Sequence, residues 1–249
     1  MCKNINQAVI LAGGRGERLR PLTDSMPKPM APINSIPFLD YLIHSIIQAG
    51  IENVLFLLGY KANVITDRYN NMKNINIEFS YGTEEDQTGR RVLNAYGQLD
   101  DHFLLMYGDN YWPIELDAML SNYQKLNASV TTTVFSNKYG TGEYGFENNI
   151  IVRDDGIVKK YDKKRETDEA NGVDIGYFII SKQVLDLQMS GNVSFEVDIL
   201  PQFIARKQLG AYVTDTQYYY ITNMQTLKNF EVDAKTNNFL PLTKKYFGG

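Results

Sequence analysis

The chain has 249 residues, 43% of them hydrophobic and 22% charged, with a formal net charge of −4 at pH 7. That length suits one large domain, the 17 Tyr and 12 Phe supply ample core, and the slightly acidic balance excludes a general polyanion surface for nucleic acid. One cysteine, Cys2, excludes an internal disulfide framework and a thiolate metal cluster, which fits a reducing compartment such as the cytoplasm. The apolar runs are too short to span a bilayer, and the first residues lack the apolar stretch of a signal peptide, so no membrane attachment is expected.

Short apolar runs alternate with amphipathic stretches. Ala8 to Leu11 reads as a buried strand, and Phe38, Leu39, Leu42, Ile43, Ile46 and Ile47 recur at helical spacing up to Gly50. The spacing then predicts strand over 54–58, helix over 63–69, strand over 75–79, helix over 89–96 and strand over 103–107. Such alternation predicts a Rossmann-like α/β three-layer sandwich with a mostly parallel central sheet, whose ligands sit at the carboxyl ends of the strands. From Ser129 onward the pattern is richer in strands: 130–135, 149–153, 156–161, 173–180, 211–213 and 218–221, with a helix over 195–205. No linker or internal repeat interrupts it. The whole of 1–249 is therefore read as one domain, with a ligand-binding half of about 1–128 and a strand-rich extension of about 129–249.

The first strand runs into "LAGGRGERLRPLTDSMPKP". Gly13, Gly14 and Gly16 permit backbone shapes closed to other residues, and their N–H groups can converge on phosphate oxygens, with Arg15, Arg18, Arg20 and Lys28 adding charge. A plain glycine-rich strand-to-helix turn is the alternative reading. The dinucleotide fingerprint fails, because Leu19 stands where its third glycine belongs and no acidic residue ends the second strand. A P-loop, which needs Gly-Lys-Ser/Thr, is absent as well.

With Gly13, Gly14, Gly16, Arg18, Leu19, Pro21, Leu22, Thr23, Pro27, Lys28 and Pro29 in register, this stretch resembles the N-terminal signature of the sugar-1-phosphate nucleotidylyltransferases, G-G-x-G-T-R-L-x-P-L-T followed by P-K-P. Only Glu17 departs, standing where Thr is common. The resemblance implies a nucleoside triphosphate over Leu11, Ala12, Gly13, Gly14, Arg15 and Gly16, with Arg18 and Lys28 as catalytic cations at the phosphates. "FLLMYGDN" ends a strand in Asp109, which read alone is a polar turn but beside the loop matches the family's Mg2+ carboxylate. Thr88 and Gly89 of "DQTGRR" stand for the turn that approaches the base, with two arginines added.

The second half resembles the family's sugar-phosphate site less closely. Tyr144 and Gly145 of "EYGFE" match its Arg-Tyr-Gly segment, with Glu143 in place of Arg. Lys164 of "YDKK" matches the lysine that grips the sugar phosphate, leaving Lys163 where a glutamate is usual; a solvated charge run is the competing reading. Asp174 of "VDIGYF" replaces an Asn, and Glu196 lies in "SFEVD", matching S-F-E-x-D. A second metal carboxylate expected near the C-terminus falls on Tyr220 or Thr222, neither a usual Mg2+ ligand. The resemblance implies transfer of a nucleotidyl group from an NTP, GTP by preference, to a manno-configured sugar 1-phosphate. A cytidylyltransferase and a non-catalytic nucleotide-sugar-binding regulator are the alternatives. Tyr218, Tyr219 and Tyr220 would serve either a homodimer interface or the capping of a sheet.

Overall fold

The computed structural model describes residues 4–185 and 189–247, so the reading of Cys2 lies outside them. Seven strands form the central sheet: β1 (Gln7–Leu11), β2 (Asn53–Leu58), β3 (Asn76–Tyr81), β4 (His102–Tyr107), β5 (Val130–Phe135), β6 (Val173–Ser181) and β7 (Leu209–Thr214). Their order is β7-β5-β6-β4-β1-β2-β3. Pairing is parallel from β4 through β1 and β2 to β3 and between β5 and β7, while β6 runs antiparallel to both neighbours.

Alternation along the buried strands feeds two cores. Ala8, Ile10, Phe56, Leu104 and Met106 face one layer, and Val9, Leu11, Leu55, Leu57 and Leu105 face the other. The first layer holds α1 (Phe38–Gln48), α2 (Ala62–Tyr69), a third helix at Leu116–Leu126 and a last one at Met224–Thr236. The second holds the helix Thr88–Asn94 and the run that begins as a π-helical turn at Phe195–Ile199 and continues as α-helix over Leu200–Ala205. This is the expected three-layer sandwich. The helices Leu116–Leu126 and Met224–Thr236 are additions to the sequence reading. Among the described residues no helix is long and apolar enough to cross a membrane.

Outside the sheet, Ile150–Val152 and Val158–Tyr161 form an antiparallel ribbon, and Tyr219–Tyr220 pairs with Asn110–Tyr111. Tyr218 is buried, and the Tyr219 ring packs against Tyr111, Phe230 and Phe239. The tyrosine run therefore caps the protein's own core.

One buried ion pair ties the first helical layer together. Asp40, 1% exposed, accepts from Arg68 Nε at 3.0 Å, from a second Arg68 nitrogen, and from the Tyr69 hydroxyl at 2.6 Å. Its backbone carbonyl receives Leu242 N at 3.2 Å, which fastens the C-terminal segment to α1. Breaking such a pair leaves an uncompensated buried charge. Arg68→Met is expected to lower stability in urea denaturation by roughly 3 kcal/mol; a loss below about 1 kcal/mol would show that Tyr69 alone satisfies Asp40.

Candidate active site

The carboxyl ends of β1 and β4 lie side by side. Gly108 N donates to Leu11 O at 3.1 Å, and a Cβ on Gly108 would stand 2.8 Å from that same oxygen, so only glycine lets the end of β4 pass so close. Asp109 follows immediately. The loop after β1 swings Lys28 back to it, and Lys28 Nζ sits 2.6 Å from Asp109 Oδ2. Lys28 is nearly buried, 12% exposed in its side chain, while Asp109 is about one-third open.

The three loop glycines have three different causes. Gly16 holds φ +63, and a Cβ there would stand 2.7 Å from Lys28 Cβ, so it both turns the chain and lets the lysine pass. Gly13 leaves room for the Arg91 guanidinium, which would lie 2.3 Å from an added Cβ. Gly14 faces open space, with nothing within 4 Å of an added Cβ. It is the exposed one of the three glycines.

A cavity lies over this loop, lined by Leu11, Ala12, Gly13, Gly14, Gly16, Lys28, Thr88 and Asp109 among others. A second cavity adjoins it, lined by Arg18, Asp109, Glu143, Tyr144, Lys163, Lys164, Asp174, Glu196 and Thr222 among others. Tyr107, Asp109, Lys163 and Glu196 line both, so the two adjoin along the end of β4. Arg15 stands at a neighbouring groove with Arg18 and Lys28, ion-paired with Glu84 at 2.7 Å.

Besides Arg15, two further expected residues line neither cavity. Gly89 is buried under the 193–199 segment, where a Cβ would meet Ile199 Cδ1 and Val193 O at 2.9 Å; its smallness serves helix packing. Gly145 turns the neighbouring loop at φ +63, and its carbonyl accepts from Asn137 Nδ2 at 2.9 Å. Thr88 does line the first cavity, but its hydroxyl also donates to Glu196 Oε2 at 2.9 Å and receives Phe195 N at 2.9 Å.

The second cavity is built on a bulge in β6. Between the pairs Asp174↔Val134 and Phe178↔Thr132 the register slips, and Gly176 takes φ +78 against the Tyr107 ring. The bulge aims Asp174 inward, where its Oδ1 accepts from Thr132 Oγ1 at 2.6 Å and from Gly176 N at 3.2 Å. Burial pushes the Asp174 carboxyl up to about 6. Glu196 goes the other way. Burial opposes its charge, but Lys163, at 3.8 Å, and the hydroxyl of Ser194, at 2.8 Å, hold it below the usual range. Lys163, which the sequence reading set aside as a departure, reaches both cavities, whereas Lys164 reaches only the second.

Glu143 is the other residue that sequence reasoning passed over as a contact. The Thr222 hydroxyl donates to Glu143 Oε1, and the adjacent Ile221 N donates to Asp109 O at 3.0 Å, which sets Thr222 beside Asp109. Tyr218 Oη receives Glu143 N at 2.9 Å, while Tyr220 Oη donates to Gly142 O at 3.3 Å. Of the two expected positions, Thr222 faces the cavity, and the tyrosines hold the Glu143 loop against it.

Residues 7–221 match the family model described as nucleotidyl transferase. The chain belongs to the nucleotidyl transferase family. It is similar to the D-glycero-alpha-D-manno-heptose 1-phosphate guanylyltransferase of Aneurinibacillus thermoaerophilus, with 28% identity over 85% of this chain and 91% of that one. It is also similar to the probable glucose-1-phosphate cytidylyltransferase of Bacillus subtilis, with 29% identity over 93% of this chain and 96% of the other. Among solved structures, the UDP-glucose pyrophosphorylase of Acinetobacter baumanii superposes with a TM-score of 0.79 at 14% identity, covering 94% of each chain, and shares the fold.

The raised Asp174 carboxyl carries a signed pH dependence. With its folded pKa above the unfolded value of 3.8, the native state binds the extra proton, so stability is lost as pH rises through about 6. Asp174→Asn is therefore expected to melt above the wild type at pH 8, with the gap closing between about pH 6 and pH 4. A gap independent of pH, followed by calorimetry, would show that Asp174 carries no such penalty.

Proposed function

We propose that the protein transfers a nucleotidyl group from a nucleoside triphosphate to a sugar 1-phosphate, releasing pyrophosphate and forming a nucleotide sugar. The observation that carries this reading is the pair of adjoining cavities that share Asp109, the partner of Lys28, one floored by a glycine loop and the other lined by acids and lysines. An oxygen of the sugar 1-phosphate attacks the α-phosphorus. The bond from that phosphorus to the α–β bridging oxygen breaks, and pyrophosphate leaves with the electron pair. Such a displacement needs positioning and charge neutralisation more than covalent help.

The residues divide accordingly. The open face of Gly14, with Gly13 and Gly16, receives the phosphates. Lys28 and Arg18 offset the charge that develops on the leaving pyrophosphate, with Arg15 at the groove mouth. Lys164 and Lys163 orient the attacking phosphate, while Asp174, Glu196 and Tyr144 face the sugar.

The donor set also fits Mg2+. Asp109, Glu143 and the Thr222 hydroxyl present oxygen ligands in one cavity, and Asp109 already attracts a cation in the form of the Lys28 ammonium. Among the described residues no three His, Cys, Asp or Glu converge as a complete cage, which suits an ion that keeps waters and phosphate oxygens in its shell. Asp109 would hold Mg2+, with Glu143 as the second carboxylate. When bound, the ion would neutralise phosphate charge.

GTP and a manno-configured heptose or hexose 1-phosphate are the favoured substrates, on the likeness to the heptose-1-phosphate enzyme. The second reading is CTP with a hexose 1-phosphate, favoured by the near end-to-end match to the Bacillus subtilis relative. We place the enzyme in the cytoplasm, in keeping with a biosynthetic family.

Pyrophosphate release with Mg2+ decides between them, testing GTP, CTP, UTP, ATP and dTTP against mannose, heptose and glucose 1-phosphates. GTP with a manno sugar is the expected pair. CTP with glucose 1-phosphate would establish the second reading, and silence across the panel would sink the enzymatic one. In the active pair, Asp109→Ala is expected to remove turnover in a protein that still folds but melts below the wild type, because Lys28 loses its partner; retained turnover would remove Asp109 from the metal site.

A further inference from the structure

The transfer described above leaves unused the two arginines of "DQTGRR". Arg90 straps its helix to a neighbouring loop, with Nε and Nη2 donating to Gly191 O at 2.6 Å and Met189 O at 3.0 Å. Arg91 is placed differently. It is 4% exposed and lines the cavity over the glycine loop. Nη1 donates to Leu58 O at 2.6 Å, while Nη2 donates to Thr83 O at 2.8 Å, Gly13 O at 3.2 Å and Glu84 O at 3.4 Å. Those carbonyls belong to the segments at the carboxyl ends of β1, β2 and β3.

Space for the guanidinium is made by glycine in all three segments. A Cβ on Gly13 or Gly59 would come within 2.3 Å of it, and one on Gly82 within 3.2 Å. Among the described residues no carboxylate is ion-paired with Arg91, although Glu85 and Asp86 lie close enough to oppose the lowering of its pKa by burial. A buried cation held only by carbonyl oxygens is a costly way to fill space, and an apolar side chain would fill it more cheaply. The fork geometry of a guanidinium, with donors fixed in one plane, explains the choice: no other side chain reaches three strand ends at once.

We infer that Arg91 is a positioning residue for the nucleotide. It fixes the carbonyl of Gly13 and so sets the backbone of the glycine loop, including the open face at Gly14, in the shape that receives the triphosphate. The second cavity is outside its reach, since Arg91 does not line it. This inference rests on the nucleotidyl-transfer reading for the identity of the ligand, and it predicts a separation: nucleotide affinity depends on Arg91, and sugar-phosphate affinity does not.

The test is calorimetric titration of Arg91→Met and Arg91→Lys with each of the five Mg-NTPs, together with KM for both substrates and a melting curve. Arg91→Met keeps the length and removes every donor; Arg91→Lys keeps the charge but cannot span three segments. Both are expected to weaken nucleotide binding, and to raise KM for the nucleotide, by roughly tenfold or more, with KM for the sugar phosphate within about twofold of wild type. A merely structural role would lower the melting temperature and the active fraction without moving either KM. If Arg91→Met does not fold, Arg91→Lys decides alone: nucleotide affinity equal to wild type overturns the inference. Active wild type with unchanged nucleotide KM in the variants refutes Arg91 positioning only. Wild type that binds an NTP without turnover, with binding lost in the variants, refutes the transfer reaction and upholds the positioning role.

Discussion

The ion pair between Lys28 and Asp109 is the point on which the rest of the site depends. It joins the loop after β1 to the end of β4, two neighbouring parallel strands, and it does so where both cavities meet. Everything near it makes the contact attainable. Gly16 lets the Lys28 stem pass, Gly108 lets the end of β4 lie against Leu11, and Ile221 N anchors the backbone of Asp109 from the far side. A lysine and a carboxylate this close neutralise each other at rest. In the proposed reaction a triphosphate with its divalent cation would offer each of them another partner, and the pair would be the resting arrangement of groups that binding separates.

On either side of that point the two cavities differ in the groups they present. The first is lined by the backbone of the glycine loop with Lys28 and Arg91, facing Asp86, Asp109 and Glu196. The second presents acids in contrasting states. Asp174, half-buried on its bulge, has its carboxyl pushed up to about 6, whereas Glu196 is held below the usual range by Lys163 and Ser194. At neutral pH both carboxylates accept from hydroxyl groups, and Asp174 takes up a proton at a higher pH than Glu196 as the solution is acidified.

Much of this was legible in the sequence where one physical cause dominates. The parallel strands are buried on both faces and read as unbroken apolar runs, so β1, β2 and β4 were placed to within a residue or so. Asp109 was legible because a strand that stops at Gly-Asp puts the carboxylate at the ligand edge. The helix Met224–Thr236 went unread although Asn223 and Thr226 form a capping box, since only Leu227, Phe230 and Ala234 of its residues are buried, a sparse apolar stripe. Lys163 and Lys164 were assigned from alignment alone. They lie in a turn just beyond the end of the ribbon strand at Tyr161, where no alternation of faces tells the two apart. The Thr222–Glu143 contact spans 79 residues, and nothing local announces it. Arg91 was visible only as an extra charge; that three glycines surround it is a fact of the folded sheet edge.

The most direct measurement is a crystal structure of the protein with Mg2+ and a non-hydrolysable analogue of the triphosphate it binds best. The account predicts the triphosphate over Gly14, Lys28 Nζ drawn from Asp109 onto a phosphate oxygen, and the Asp109 carboxylate on the metal. A nucleotide bound elsewhere, with the Lys28–Asp109 pair intact beneath an empty glycine loop, would contradict it.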